Sequence, residues 1–279
     1  MEQDKPSESQ GMDQADMKSE LRLLRHQVDS LLTAAAEKKK PWYRDPSILI
    51  SATALVLSVV TAITSQIASN EASIQAKHEE LRKLLSNIID LRSDFTFRIP
   101  LITNVSERTS AASIDNTKRT IYLEGTETLV SQIRRVVEPS EYITLATEYS
   151  YDSKFQMAEQ YYLMATDASH DPLSKNIALR AVANFYFMKS AKQDFDKGRR
   201  LFQQSVDSLN GANDDYTLYT VGYTFDMWGT AEIMSGFPQE GKQKFEFADK
   251  YYSDMSEKNP LKLWAVQAHR QQRLQMEGN

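Results

Sequence analysis

The feature that most constrains the fold of this chain is a run of 25 residues, Pro46 to Asn70, that contains no ionisable side chain. An α-helix rises about 1.5 Å per residue, so about 20 residues cross the roughly 30 Å hydrocarbon core of a bilayer. Serine and threonine hydroxyls in the run can bond to carbonyls of the preceding turn, so they are compatible with insertion. The sequence therefore predicts a single transmembrane helix at residues 47–68. The alternative is a buried core helix of the same length.

The basic residues near this run lie mainly on its N-terminal side, whereas the first basic residue on the other side is Lys77. In our interpretation four residues orient the span: Lys38, Lys39, Lys40 and Arg44. Because cytoplasmic flanks are enriched in lysine and arginine, the pattern predicts a cytoplasmic N-terminus and an extracytoplasmic location for residues 71–279, periplasmic in a bacterium. Arg82 and Lys83 also lie near the span, so the reversed orientation, with a cytoplasmic C-terminal domain, stays open.

The segment before the span divides into two parts. Residues 1–18 are acidic and polar, which is typical of a disordered tail. Residues 19–40 carry apolar side chains at alternating spacings of three and four residues, at Leu21, Leu24, Val28, Leu31 and Ala35. This spacing predicts a short cytoplasmic coiled coil or, alternatively, an amphipathic helix on the inner leaflet.

A similar heptad pattern follows the span in residues 69–92. Its apolar positions, which begin at the end of the span, are Ile67, Ile74, Leu81, Leu84, Ile88 and Leu91. We interpret the pattern as a coiled-coil stalk that joins copies of the chain into a homo-oligomer, and it leaves the number of copies open. The alternative is that this helix packs on the C-terminal domain of its own chain.

Residues 93–119 interrupt the pattern and are predicted to form a linker, because Pro100 cannot lie inside an unkinked helix. Helical periodicity returns in residues 120–279, where three segments share a small residue, an aromatic residue four positions later and a small residue seven positions later. These sets, 40 and 43 residues apart, are Ala158/Tyr162/Ala165, Gly198/Phe202/Ser205 and Gly241/Phe245/Ala248. Small residues let a neighbouring helix approach closely, which predicts stacked helical hairpins.

This pattern resembles the tetratricopeptide repeat, in which pairs of antiparallel helices stack as a solenoid. The matching first-helix positions are Tyr142, Leu145, Ala146 and Tyr149 in the first unit and Phe225, Trp228 and Gly229 in the third. In both units the first small residue of the second helix follows that of the first helix by 12 residues, as in the family. The middle unit matches less closely, because Val182 precedes Gly198 by 16 residues.

The resemblance covers residues 140–258 and implies an all-α solenoid, with the segment from Leu261 to Met276 as a capping helix. A helical-hairpin domain outside this family is the alternative. The resemblance also implies a concave groove, formed by the first helices, that binds peptides. Carried over by position, the groove residues are Ile143, Thr147, Tyr151, Leu179, Ala183, Tyr186, Tyr223, Asp226 and Thr230. They lack the basic residues with which some family members hold a terminal carboxylate, so the expected ligand is an apolar or mixed peptide.

Composition and motifs argue against several other functions. A net charge of -5 provides no basic field for nucleic acid, and the absence of cysteine removes thiolate nucleophiles and cysteine metal sites. The four histidines, which form no zinc motif, are His26, His78, His170 and His269. There is no glycine-rich phosphate loop, and Asp214 and Asp215 are expected to cap a helix. We therefore expect no enzymatic activity, no cofactor and no metal.

The sequence thus predicts an all-α protein with a single transmembrane helix, flanking coiled-coil segments and a C-terminal tetratricopeptide-like α-solenoid. Its low content of turn residues, 9 glycines and 8 prolines, agrees with rods and hairpins. The expected function is that of a membrane-anchored, homo-oligomeric scaffold that binds a protein or peptide partner. The alternative is a structural or pore-forming membrane assembly, in which small residues of the span such as Ser58 and Ala62 allow the spans to associate.

Overall fold

The structure is a computed structural model that describes residues 22–23, 25–30, 33, 46–211 and 213–277. Over these residues the chain is helical and contains no strand. The chain divides into two units, Met1–Ser73 and Ile74–Asn279. The predicted disordered tail lies outside the described residues, as do four basic residues assigned to orient the span, Lys38, Lys39, Lys40 and Arg44.

The first unit has helical backbone at residues 22–23, 25–30 and 33, within the predicted N-terminal helix. Of the heptad positions assigned there, Val28 is described, and its side chain is exposed. The other four, Leu21, Leu24, Leu31 and Ala35, lie outside the described residues. The pairing of this segment with another helix therefore stays a prediction.

The uncharged run lies in helix α1, Pro46–Phe97. Many of its apolar side chains are exposed, including Ile50, Val56, Leu57 and Ile63. As the sequence predicted, hydroxyls bond to carbonyls of the preceding turn: Ser58 Oγ donates to the Ala54 carbonyl at 2.8 Å, and Thr61 Oγ1 donates to the Leu57 carbonyl at 2.8 Å. Within the described part of the chain, α1 is the one helix long and apolar enough to cross a membrane.

The second unit continues as a series of helices joined by short turns. After α1 and a short 3₁₀ helix, Ile99–Leu101, these are α2 (Val105–Ile133), α3 (Pro139–Tyr151), α4 (Phe155–Ala168), α5 (Pro172–Phe187), α6 (Phe195–Asp207), α7 (Asp215–Met234), α8 (Pro238–Asp254) and α9 (Pro260–Glu277). The side chains of Asp171, Asp194 and Asp214 accept hydrogen bonds from backbone N–H groups in the first turns of α5, α6 and α7. The capping role predicted for Asp214 is confirmed.

The region predicted as a linker is largely helical. Helix α1 continues to Phe97, and α2 begins at Val105 because the Asn104 side chain caps it, accepting from Ser106 N at 2.9 Å and Glu107 N at 3.3 Å. Pro100 lies in the 3₁₀ helix between them. The helix is interrupted at Pro100, as predicted, but the interruption spans only a few residues and not the whole predicted linker.

Helices α3 to α8 pair in sequence, α3 with α4, α5 with α6 and α7 with α8. Small residues allow the close approach. A Cβ atom built on Gly241 would lie 2.7 Å from the Gly229 carbonyl oxygen, and one on Gly198 would lie 3.1 Å from the Ala183 carbonyl oxygen. Ala146 and Ala158 are fully buried in the first pair. Small residues therefore let the helix backbones approach each other, as the repeated small-aromatic-small pattern predicted.

The C-terminal part of α1 packs against its own chain. Leu81 and Ile88, each 0% exposed, belong to one core with Leu123 of α2 and Tyr142 of α3. Leu84 packs on this core and Leu91 is half-buried, whereas Ile67 and Ile74 are exposed. Leu81 and Ile88 therefore cannot form an intermolecular seam in this structure, and that part of the stalk prediction is wrong.

Charges beside this apolar stripe fix its position on α3. His78 Nε2 lies 2.9 Å from Glu141 Oε2, and Arg82 Nε donates to Glu141 Oε1 at 3.0 Å. Further along, Arg92 Nη1 lies 2.7 Å from Glu148 Oε1, whose side chain is almost completely buried. Ion pairs at both ends and apolar packing between them account for the intramolecular docking.

We expect Leu81→Ala to lower the free energy of unfolding by about 2–5 kcal/mol, because it leaves a cavity in a fully buried site. Chemical denaturation of the full chain in detergent micelles measures this change, and Ile89→Ala, at an exposed position of the same helix, serves as the control. The shift should not depend on protein concentration. A midpoint that rises with concentration would instead indicate that Leu81 is buried between chains.

We expect Gly241→Ala to destabilise the protein by about 2 kcal/mol. The added methyl group meets the Gly229 carbonyl oxygen at 2.7 Å, and overpacking against backbone costs up to about 3 kcal/mol, which exceeds the gain in helix propensity of about 1 kcal/mol. Thermal unfolding compared with the exposed control Gln243→Ala tests this. Equal or higher stability of Gly241→Ala would show that the two helices can separate without loss.

Candidate functional site

The candidate site is the exposed face of the first helices of the pairs, α3, α5 and α7. On α3 the assigned residues reach this face: Ile143 and Thr147 are half-buried and Tyr151 is exposed. Thr147 Oγ1 lies 3.2 Å from the Tyr162 hydroxyl, and the Arg92 guanidinium lies 4.9 Å from the centre of the Tyr151 ring. A cavity of about 440 Å³ adjoins Tyr151 and Arg92.

On α5 the assigned residues point into the core. Leu179, Ala183 and Tyr186 are all buried, so the prediction that they line an accessible groove is wrong. The reason is register: Gly198 of α6 approaches the carbonyl of Ala183 rather than that of Val182, the residue matched from the sequence. One residue of register rotates a helix by about 100°, which turns a different set of side chains outward.

On α7 the three assigned residues have different environments. Tyr223 is exposed, whereas Asp226 is buried and Thr230 is half-buried. Gln272 of α9 donates from Nε2 to Thr230 Oγ1 at 2.7 Å. Helix α9 therefore covers the end of this face, so Asp226 and Thr230 do not line an accessible groove and their assignment is corrected.

The residue that sequence reasoning missed is Arg180. It lies on the outward side of α5 and is partly buried, with its guanidinium 4.7 Å from the centre of the Tyr223 ring. Its Nη1 atom donates to Thr224 Oγ1 at 3.3 Å and to Asn176 Oδ1 at 3.4 Å. Burial lowers the pKa of the Arg180 guanidinium below its ordinary value. If the repeat pattern is aligned with Ala183 as the small residue of α5, it assigns Arg180 to the exposed face.

Further aromatic rings lie beside the Arg180–Tyr223 pair. Tyr216 is 55% exposed and Trp264 of α9 is 57% exposed. The Tyr219 ring stacks on Tyr223 with 6.1 Å between centroids and lies 5.9 Å from the Trp264 ring. We call Tyr216, Tyr219, Tyr223 and Trp264 the aromatic patch. Exposed rings at this density are typical of surfaces that bind another protein.

Beneath the patch, a buried polar cluster joins α9 to α7 and α8. Asp226 accepts from the Tyr252 hydroxyl at 2.7 Å, and its other oxygen lies 2.5 Å from His269 Nδ1. Asp249, which pairs with Arg273, lies 3.1 Å from His269 Nε2. Burial alone would lower the pKa of His269, but the hydrogen bond and charge of Asp226, with Asp249, raise it above its ordinary value. Burial and Asp226 also raise the pKa of Tyr252.

The described residues include no group of three or more histidines and acidic residues placed to hold a metal ion. Comparison with known proteins gives no further guidance, since no protein-family model, curated protein or solved structure matches the chain. The site is therefore defined by its geometry: a face of three helices with the aromatic patch and Arg180 at one end.

We expect His269→Gln to remove a pH-dependent part of the stability. Because the folded pKa of His269 is raised, its contribution is complete below the unfolded pKa of about 6.5 and is lost as the pH rises through the folded pKa. The contribution amounts to about 1.4 kcal/mol for each pH unit that separates the folded pKa from the unfolded pKa. Denaturation of wild type and variant across this pH range measures the difference.

His170→Gln, at an exposed histidine, is the matched control and should leave the pH profile unchanged. If the stability difference between wild type and His269→Gln were constant with pH, the pKa of His269 would be the same in the folded and the unfolded protein, and the proposed charge pairing with Asp226 would be wrong.

Proposed function

We propose that this chain is a membrane-anchored protein-interaction module that binds a peptide segment of a partner protein on the face of α3, α5 and α7. The observation that carries the proposal is the aromatic patch, whose Tyr216 and Trp264 side chains are more than half exposed. Large rings left in water favour a partner that covers them. Arg180 beside the patch adds a charged group that can orient such a partner.

The membrane anchor is supported by the exposed apolar surface of α1. Four of its side chains are each more than half exposed: Ile50, Val56, Leu57 and Ile63. The hydroxyl groups of Ser58 and Thr61 form hydrogen bonds within the helix. A bilayer would cover such a surface without leaving polar groups unpaired. The orientation we propose is a cytoplasmic N-terminus, on the basis of the basic residues that precede the span.

We further propose that the paired helices form a tetratricopeptide-like solenoid. In the first and third pairs, the small residues that allow close approach are 12 positions apart in sequence, Ala146 with Ala158 and Gly229 with Gly241. The middle pair, Ala183 with Gly198, has a longer connection. Helix α9 packs on both helices of the last pair, where a solenoid requires a cap.

Any homo-oligomer would then use the part of the heptad pattern nearest the span. Ile67 and Ile74 are exposed, whereas Leu81 and Ile88 are committed to the chain's own core. Association through the span and these two positions is compatible with the interaction function, because clustered copies would bind clustered partners more tightly.

The test is site-specific photocross-linking in membranes. A photoreactive residue in place of Tyr223 should give a discrete protein adduct several-fold stronger than one in place of Glu246, an exposed residue of α8, because only the first lies on the proposed face. The chain should also stay in the membrane fraction after alkaline carbonate extraction. Equal adducts from both positions would rule out this face, and release by carbonate would rule out the anchor.

A further inference from the structure

The cavity of about 440 Å³ beside Tyr151 lies where α1, α2 and the end of α3 meet. Its volume is within the range of roughly 300–1,000 Å³ that ligand-binding cavities occupy, and such cavities often lie between packed helices. It shares no residue with the aromatic patch. The chemistry of its walls, which consist of paired charges, two exposed rings and one carboxamide, indicates what kind of molecule it can hold.

The charged side chains that line the cavity already have partners of opposite charge. The three ion pairs, each with a nitrogen–oxygen distance of 2.6 or 2.7 Å, are Arg92–Glu148, Arg119–Asp152 and Asp115–Arg98. Positive and negative groups are therefore equal in number among these pairs. A charged ligand would lose its hydration without gaining a free counter-charge, so this arrangement favours an uncharged one.

Two aromatic rings form the apolar walls. Phe95 is 47% exposed and Tyr151 is 62% exposed, and neither ring contacts another aromatic ring within the part of the chain that the structure describes. The Arg92 guanidinium lies 4.9 Å from the centre of the Tyr151 ring and is itself fixed by Glu148. The Tyr151 ring is thereby positioned before any ligand binds. Rings that are held in place in this way favour a flat apolar group that packs against them.

Asn116 supplies the polar group that remains available. Among the described residues, neither the oxygen nor the nitrogen of its side-chain amide has a hydrogen-bond partner, whereas Thr96 Oγ1 donates to the Arg92 carbonyl at 2.9 Å. A carboxamide presents one acceptor and one donor side by side. It therefore matches a ligand edge on which a donor lies next to an acceptor, as in the pairing of asparagine with adenine.

We propose that this cavity binds an uncharged planar ring that carries a hydrogen-bond donor and acceptor side by side, the chemistry that a nucleobase and an aromatic carboxamide share. The ring packs against Phe95 and Tyr151, and its polar edge bonds to Asn116. The site goes beyond the proposed function, because it takes a small molecule and does not depend on a protein partner.

Four small molecules test the site on the full chain in lipid nanodiscs. The probes 9-ethyladenine and nicotinamide carry the donor–acceptor pair, benzyl alcohol has a ring without the pair, and benzoate has a ring with a charge. Saturation-transfer NMR gives their dissociation constants. At least one of the first two should bind about tenfold more tightly than benzyl alcohol, as expected for two added hydrogen bonds, and benzoate should bind no better than benzyl alcohol. The tighter of the two shows whether the site takes a fused or a single ring.

Asn116→Ala should lower the affinity for the tighter probe to that for benzyl alcohol. Because Asn116 is exposed, the variant should keep the wild-type melting temperature, which excludes unfolding as the cause. Asn213→Ala, at an exposed asparagine before α7, is the matched control and should bind as wild type does.

Phe95→Ala tests the apolar wall and should weaken binding of benzyl alcohol and of the tighter probe several-fold, because the ring on which they pack is lost. Phe97→Ala, at a more exposed position of the same helix that does not line the cavity, should leave both affinities unchanged.

The proposal is wrong if neither 9-ethyladenine nor nicotinamide binds wild type more tightly than benzyl alcohol, or if Asn116→Ala leaves the difference unchanged. Tightest binding of benzoate would also overturn it, since the cavity would then select an anion. The photocross-link from Tyr223 tests the partner-binding face separately, so either proposal can fail while the other stands.

Discussion

The close approach of paired helices at small residues is the constraint on which the rest of the second unit depends. Where Gly241 meets the Gly229 carbonyl, a methyl group would already be too close. With no side chain between the backbones, each helix has little freedom to rotate, and large rings such as Phe245 fill the space on either side. The rotation of each first helix is thereby set, and so are the side chains that it presents to solvent.

This constraint explains which parts of the site could be predicted. In the first and third pairs the spacing of the small residues matches a known pattern, and Tyr151 and Tyr223 are exposed, whereas Asp226 and Thr230 are covered by α9. In the middle pair the connection is longer, and two adjacent residues, Val182 and Ala183, both fit the pattern. The positions assigned from Val182 are buried, whereas the same pattern aligned on Ala183 places Arg180 on the outward side of α5. Periodicity locates a helix more reliably than its rotation.

The heptad pattern after the span shows a second limit of the sequence. Spacings of three and four residues indicate an apolar stripe, but the same stripe forms whether the covering surface belongs to another chain or to the same one. Here Leu81 and Ile88 are covered by their own chain, and ion pairs to Glu141 and Glu148 lie beside these apolar contacts. Those carboxylates are about 60 residues away in sequence, so no local pattern connects them. The uncharged run of α1, by contrast, is local and was predictable from composition.

The way in which the fold pairs its buried charges bears on the proposed function. Glu148 and Glu232 are almost completely buried, and each is paired with arginine. Asp226 is compensated by Tyr252 and His269. The guanidinium of Arg180 has no carboxylate partner among the described residues, and it lies on the exposed face against the ring of Tyr223. Rings alone would accept many apolar ligands, since contact area carries little information about charge. A positive group beside them disfavours cationic partners, so Arg180 would add selectivity that the rings alone do not provide.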